Sequence, residues 1–285
     1  MAVGSRLEVA AQAKHAAAAA ARGAGVTVRV VDTMDELRSV SRLLESVWGR
    51  SPEGVPLCSE VMRSLVHAGG CITAASRDRT LVGAAALTVA APAGSTYSLI
   101  AAAAPGARDH GVGYAVKLHQ RAWALAHGYR SMAWTFDPLV SRNARFNLVK
   151  LGAEARQYKA RFYGRMDDDI NGDDDADRLV ATWVLDSRRA VDAAEGTAVE
   201  PAGPDDAGEV ERDGPDRRPM VVVDAAGTWC RVPHDVVTLR RTDPRRASQW
   251  RFAVREVMLP ALAAGSVAGY VTRSGWYLLA PGGAG

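Results

Sequence analysis

Between Ser98 and Gly128 the chain changes character twice within thirty-one residues. An apolar run, Ser98-Leu99-Ile100 followed by Ala101 to Ala104, leads into Arg108-Asp109-His110-Gly111-Val112-Gly113. Tyr114 to His127 then carries apolar residues at helical spacing and stops at Gly128. The pattern predicts strand, glycine loop, helix. Two glycines let the backbone turn sharply and come close to a ligand. The first N–H groups of a helix have no internal partners, and its dipole places partial positive charge on them. A junction of this kind binds phosphates.

The elements around the junction follow from periodicity and punctuation. Residues 5–23 are Ala-rich and predict a helix with little to bury, one that either frays or packs on a partner subunit. Val26 to Val31 alternates and predicts a strand. Asp32 or Thr33 caps a helix through Trp48, with Leu37, Val40, Leu43, Leu44 and Val47 on one face. A short helix, Ser59 to His67, precedes strands near Ile72–Ser76, Leu81–Val89 and Tyr97–Ala103. After the junction come a strand at Ser131 to Phe136, a helix from Ser141 to Leu151, and strands at Glu154–Gly164 and Leu179–Leu185. Asp243-Pro244 opens a helix kinked by Pro260, and Val267–Val271 with Trp276–Leu279 form a closing hairpin.

Composition sets the outer limits. A net charge of +3, few aromatics and no basic patch interleaved with them argue against nucleic acid as partner. Arg240, Arg241, Arg245 and Arg246 read as a solvated helix start, and His119 as a satisfied core or surface histidine. Cys58, Cys71 and Cys230 are odd in number and far apart, which gives neither a disulfide framework nor a zinc spacing and fits a reducing, cytoplasmic setting. Asp167-x-Asp169-x-Asn171-Gly172 opens like a calcium loop, but its twelfth position is Arg178 where a bidentate carboxylate is needed. No segment has the make-up of a signal peptide or a membrane span, so neither metal nor membrane is expected. Residues 187–218, dominated by Asp, Glu, Gly, Pro and Ala, read as a flexible linker.

The R-x-x-G-x-G loop, with the helix start overlapping it, resembles the acyl-CoA pyrophosphate loop of the GNAT superfamily of N-acetyltransferases. A second stretch is more distinctive: Trp134-Thr135-Phe136-Asp137-Pro138-Leu139, then Ser141-Arg142-Asn143-Ala144-Arg145-Phe146-Asn147 and Lys150-Leu151-Gly152-Ala153. It resembles a bacterial subfamily of GNAT acyltransferases with a W-T-F-D-P-L…R-N-A-x-F-N-L signature. Phe162-Tyr163-Gly164 and the helix around Trp250-Arg251 and Ala253-Val254-Arg255-Glu256 are similar to the same group.

The resemblance implies an α+β GNAT fold: a mixed, mostly antiparallel central sheet flanked by helices, with a small C-terminal α/β appendage. The implied organisation is a helix over 1–24, an acyltransferase domain over 25–186, the linker over 187–218 and the appendage over 219–285. It implies acetyl-CoA or another short acyl-CoA as co-substrate, and direct attack by the primary amine of a small molecule such as an amino acid. A backbone N–H near Ala101–Ala103 would polarise the thioester carbonyl, and Arg108, Gly111, Val112, Gly113 and Tyr114 would hold the pyrophosphate. Asn143 and Asn147, four apart on one helix face, would touch the pantetheine arm. Asp137 is the candidate general base, against a plain role in ending its strand and capping the next helix. Glu60 is a second catalytic candidate and Trp48 a substrate contact, both flanking the acceptor side. The chain departs from the family pattern at Asp109 and His110 in the loop, and at Leu148, where many GNATs place an acidic tyrosine. Peptide or protein N-acetylation, a non-catalytic CoA-binding role and a homodimer stay open.

Overall fold

The computed structural model describes residues 6–49, 54–107, 109–164, 175–200, 202–204 and 207–282. The elements begin with α1 (Arg6–Gly23), β1 (Thr27–Val30), α2 (Met34–Trp48), α3 (Ser59–His67), β2 (Cys71–Arg77), β3 (Thr80–Ala90) and β4 (Ser95–Ala103). They continue with α4 (Val112–Ala126), β5 (Ser131–Phe136), α5 (Ser141–Arg145), a π-helical turn at Phe146–Lys150, β6 (Glu154–Lys159) and β7 (Arg178–Val184). The C-terminal third supplies α6 (Arg188–Glu195), β8 (Glu209–Asp213), β9 (Pro219–Asp224), β10 (Gly227–Arg231), α7 (Val236–Thr242), α8 (Pro244–Ala263), β11 (Ser266–Val271) and β12 (Trp276–Pro281). The architecture is α+β, and contacts divide it into two units: residues 1–134 with 184–195, and residues 135–183 with 196–285.

In the first unit the strand order is β1-β2-β3-β4-β5, antiparallel except for the parallel pair β4–β5. Continuous buried runs in β2 and β3 replace the alternation of a half-wet strand because both of their faces are covered. Ala74, Ala84, Ala86 and Ala102 face the core built with Leu37, Val40, Leu43 and Leu44 of α2. Ala75 and Ala85 face the other way, onto Ala107, Val112, Ala115 and Val116, with Ala24 beyond the end of α1. Of the two expected caps of α2, Thr33 is the one used, in a capping box with Glu36. Burying one leucine of its face contributes about 1.5–3 kcal/mol.

Small residues also set how close α4 comes to the sheet. A Cβ on Gly83 would lie 2.5 Å from Val112 Cγ1, which belongs to a buried, β-branched side chain in the first turn of α4. Gly83→Ala should therefore destabilise the chain by about 1–3 kcal/mol, read as a lower urea midpoint. An unchanged midpoint would mean that Val112 repacks freely.

In the second unit the order is β7-β6-β11-β12-β10-β9-β8, with neighbouring strands antiparallel. The C-terminal hairpin joins β6 through Ala268↔Ala155, so β8 to β12 extend the same sheet as β6 and β7. Trp183, Trp229 and Trp250 are fully buried.

The linker expected over 187–218 contains α6 and β8 instead. Ser187 Oγ accepts the Ala190 N–H at 3.1 Å, Arg188 pairs with Asp192 one turn on, and Ala190 and Ala193 are buried. Two alanines and a cap sufficed where composition showed few large apolar residues. The strand expected to reach Gly164 ends at Lys159, where Asp177 Oδ1 accepts the Arg161 N–H at 2.9 Å in the turn that follows. α8 runs through Pro260 as one helix. The calcium-like run at 167–172 and the loop residues 51–53 lie outside the described residues.

Candidate functional site

β4 and β5 pair over only three positions, Ser95↔Ser131, Thr96↔Met132 and Tyr97↔Ala133. The closed end is tied by Ser131 Oγ to Ser95 Oγ at 2.9 Å and Thr96 Oγ1 to the Ser131 carbonyl at 3.1 Å. On its other edge β4 slips register against β3, where Ile100 faces Ala86 and Ser98 faces Leu87. Leu99 is the extra residue of this bulge and is 41% exposed. A bulge bends the strand and re-aims the residues beside it. The ladder thus ends at Tyr97, and Ser98 and Trp134 are the first positions past it on the two strands.

β4 leads into the glycine loop. Gly111 is the N-cap of α4 at φ +78°, a conformation that glycine adopts without steric cost. Asp109 is also left-handed, at φ +66°, which aspartate tolerates better than most residues. The first intrahelical bond runs from Ala115 N–H to the Gly111 carbonyl at 2.9 Å, after Val112, Gly113 and Tyr114. No side chain caps the helix and no carboxylate lies in its first turn. A Cβ placed on Gly113 would meet nothing within 4 Å. These features make an approachable, electropositive backbone surface.

The expected donor residues of the first unit therefore gather at one junction. Ala101 and Ala103 lie on β4, Gly111 caps α4, and Val112, Gly113 and Tyr114 form its first turn. Arg108 lies outside the described residues. Tyr114 places its hydroxyl 3.5 Å from the Ala193 carbonyl of α6, and burial pushes its pKa up. Trp48 ends α2 and packs against the core that contains Ala102, its Nε1 buried without a partner among the described residues. Glu60 is exposed in the first turn of α3, where a backbone N–H and the Ser59 hydroxyl hold its carboxyl below the usual range. A carboxylate stabilised in this way is a weak proton acceptor.

Beneath the fork lies a group that the sequence reading did not single out. Lys117 of α4 is buried, donates from Nζ to Ser98 Oγ at 2.8 Å, and stands 4.1 Å above the Trp134 ring. Ser98 Oγ also donates to Gln120 Oε1 at 3.3 Å, while Gln120 Nε2 is buried without a partner among the described residues. Burial brings the Lys117 pKa down to about 7. The only sequence signal was a lysine on the apolar stripe of a helix. His119, on the same helix, is half-buried, and burial lowers its pKa.

In the second unit the structure revises the expectation for Asp137. The residue follows β5 and is 7% exposed. Arg251 reaches both of its oxygens, at 2.7 and 2.9 Å, Arg240 reaches Oδ2, and the Leu139 N–H reaches Oδ1 at 2.9 Å. Burial alone would raise its pKa, but Arg251 and Arg240 outweigh burial and hold it well below the carboxylate range. A general base needs free lone pairs and a pKa near the working pH. Asp137 has neither, so its geometry is that of a structural ion pair. Arg240, expected on a solvated helix start, is buried in that pair.

Asn143 and Asn147, expected on one helix face, differ in exposure. Asn143 is exposed on α5, whereas Asn147 is buried in the π turn, where Leu151 N–H bonds to the Phe146 carbonyl at 3.0 Å. A π turn inserts one residue per turn and rotates everything after it. Leu148 is fully buried in the same turn. A second buried network lies nearby in sequence, where Asp177 binds Tyr158 at 2.6 Å and Arg255 at 2.7 and 2.8 Å. The three cysteines are free. Among the described residues no three His, Cys, Asp or Glu side chains group as a metal site, and no helix is long and apolar enough to cross a membrane.

No family model matches the chain, and no curated protein matches it in sequence. Solved structures do. A GNAT superfamily phosphinothricin acetyltransferase from Sinorhizobium meliloti, in complex with AcCoA, is 19% identical and matches over 55% of this chain and 87% of its own, with a TM-score of 0.46. A ribosomal-protein-alanine N-acetyltransferase from Brucella melitensis is 15% identical over 55% of this chain and 99% of its own, at 0.45. An acetyltransferase of the GNAT family from Streptococcus pneumoniae is 13% identical over 55% and 97%, at 0.44.

Proposed function

We propose that the chain is an acyl-CoA-dependent N-acyltransferase that moves an acetyl or short acyl group to the primary amine of a small molecule such as an amino acid. One conjunction carries the reading. In a single unit, a parallel strand pair stops after three positions, and the strand that leads away enters an uncapped helix through a left-handed glycine. The glycine junction suits a pyrophosphate, and the open edge of β4 suits an acyl-pantetheine arm laid along it as an added strand. A backbone N–H near Ala101–Ala103 polarises the thioester carbonyl, and the amine attacks directly. Placing both reactants in the fork supplies the proximity such a reaction needs.

Calorimetric titration with acetyl-CoA, succinyl-CoA and free CoA tests the donor half. Micromolar binding, with a preference for one acyl group, is expected. Absence of binding to all three would overturn the reading. Binding without transfer to any amine would favour a CoA-binding protein that does not catalyse, a reading that the occupied Asp137 and the apolar Leu148 also support.

A further inference from the structure

We infer that Ser98 and Lys117 form the proton relay of the acyl-transfer step, with Lys117 acting through the Ser98 hydroxyl; this rests on reading the β4–β5 fork as the acyl-CoA site.

The argument begins with a conflict. A buried amine with no carboxylate partner destabilises the fold, because ionisation in an apolar setting is opposed and even the neutral form wants hydrogen bonds. Lys117 makes no ion pair among the described residues, and its one side-chain hydrogen bond there goes to a hydroxyl, Ser98 Oγ. A methionine or leucine would fill the place at lower cost. Sites where a chain keeps such a residue are candidates for function. The placement agrees, since Ser98 and Trp134 are the first positions past the last paired rung, and Lys117 touches both. Gln120 fixes the hydroxyl from its other side and keeps an unspent Nε2.

The chemistry balances without further reagents. The amine nitrogen bonds to the thioester carbon, the carbonyl π pair moves to oxygen, and its return breaks the C–S bond. Nitrogen must lose one proton, and the departing sulfur must gain one. With the Ser98 O–H turned from Gln120 Oε1 toward Nζ, neutral Lys117 accepts the hydroxyl proton as that oxygen takes the proton from nitrogen. The ammonium so formed returns a proton by the same hydroxyl to sulfur, so the net result is one proton moved from N to S. This supplies an acid where the resemblance would place a tyrosine and the chain has Leu148.

The surroundings leave Lys117 to titrate on its own. Burial is the sole cause of its shift. On α4, Tyr114 and Arg121 lie one turn to either side, Arg121 being tied to the Leu185 carbonyl and to Gln12 Oε1 at 2.8 Å each. On β4, Tyr97 precedes Ser98 and so alternates to the opposite face. On β2, Cys71 is buried with its thiol pushed up to about 11, and Arg77 bonds the Ala24 carbonyl at 2.9 Å. Arg29 of β1 and Glu8, Lys14, His15 and Arg22 of α1 are exposed, and β3 and β5 carry no titratable side chain.

The test uses the full chain, its Lys117→Met and Ser98→Ala variants, acetyl-CoA as donor, and a panel of free amino acids and short peptides as acceptors. Acetyl-CoA affinity, kcat and KM are measured across pH, with melting temperature alongside. Lys117→Met should bind acetyl-CoA within about 3-fold of the parent, lose on the order of 10²-fold in kcat, and lose an acidic limb with an apparent pKa near 7. Its melting temperature should rise, which a merely structural lysine would not predict. Ser98→Ala, a small truncation, should lose about 10-fold or more in kcat with the limb displaced. Normal kcat and an intact limb in both variants would overturn the relay while leaving the acyltransferase reading in place. Failure of the parent to bind acetyl-CoA, or to acylate anything while binding it, would overturn the reading itself and the relay with it.

Discussion

Replacing Gly113 with glutamate should abolish acyl-CoA binding while leaving the fold as stable as before. The two halves of this expectation rest on different observations. Gly113 lies in the first turn of α4 outside the left-handed region, and a Cβ there meets nothing within 4 Å, so the backbone accepts a side chain without strain. A carboxylate in the first turn also complements the helix dipole, which contributes a few tenths of a kcal/mol to the helix. The same carboxylate stands where the pyrophosphate would lie. At about 5 Å and an effective dielectric of about 20, one pair of like charges costs about 3 kcal/mol, which is more than 10²-fold in affinity. Calorimetry with acetyl-CoA and a thermal melt on one sample separate the two effects. Retained affinity would show that the phosphate lies elsewhere. Gly111 gives a less clean test, because its φ of +78° would add strain to any replacement.

The loop was legible because its chemistry is local. Glycine spacing, the apolar run before it and the periodicity after it lie within a single stretch, and the structure places β4, Gly111 and α4 on those residues. The cap of α2 at Asp32 or Thr33 and the bounds of α3 and β5 were legible for the same reason. What escaped depends on distance along the chain. Asp137 meets Arg240 and Arg251 across 103 and 114 residues, and no spacing rule reaches so far. Arg251 occupies the buried side of α8 with Trp250 and Val254, a place that an apolar-face count does not assign to an arginine. The π turn was invisible because a regular helix and an interrupted one share the same residues until the register slips. Lys117 was hidden by its company, on a helix whose Val116, Leu118 and Ala122 are the core they look like.

Asp137→Asn should destabilise the second unit far more than it alters any chemistry. The carboxylate accepts from two guanidinium groups and one backbone N–H, and Arg178 adds further positive potential. Asparagine keeps one acceptor oxygen and turns an NH₂ toward donors, leaving two buried arginines short of their counter-charge. Removing one partner of a buried pair costs about 3–5 kcal/mol, against about 5–15 kcal/mol for the whole stability of a domain. A fall in the urea midpoint to half its parent value or lower is expected. The pH dependence follows from the direction of the shift. The folded-state pKa is depressed, so the stabilisation is complete above the usual carboxylate range and is lost only as pH falls through the folded value. The gap between parent and variant should therefore stay constant from pH 5 to 9 and close only in strong acid. A triple variant, Asp137→Leu with Arg240→Met and Arg251→Met, removes the charges together and should recover most of the loss, since apolar replacements of a whole buried cluster are often neutral or stabilising. An unchanged midpoint in Asp137→Asn, with kcat down on the order of 10²-fold, would instead return Asp137 to the base that its place after β5 first suggested.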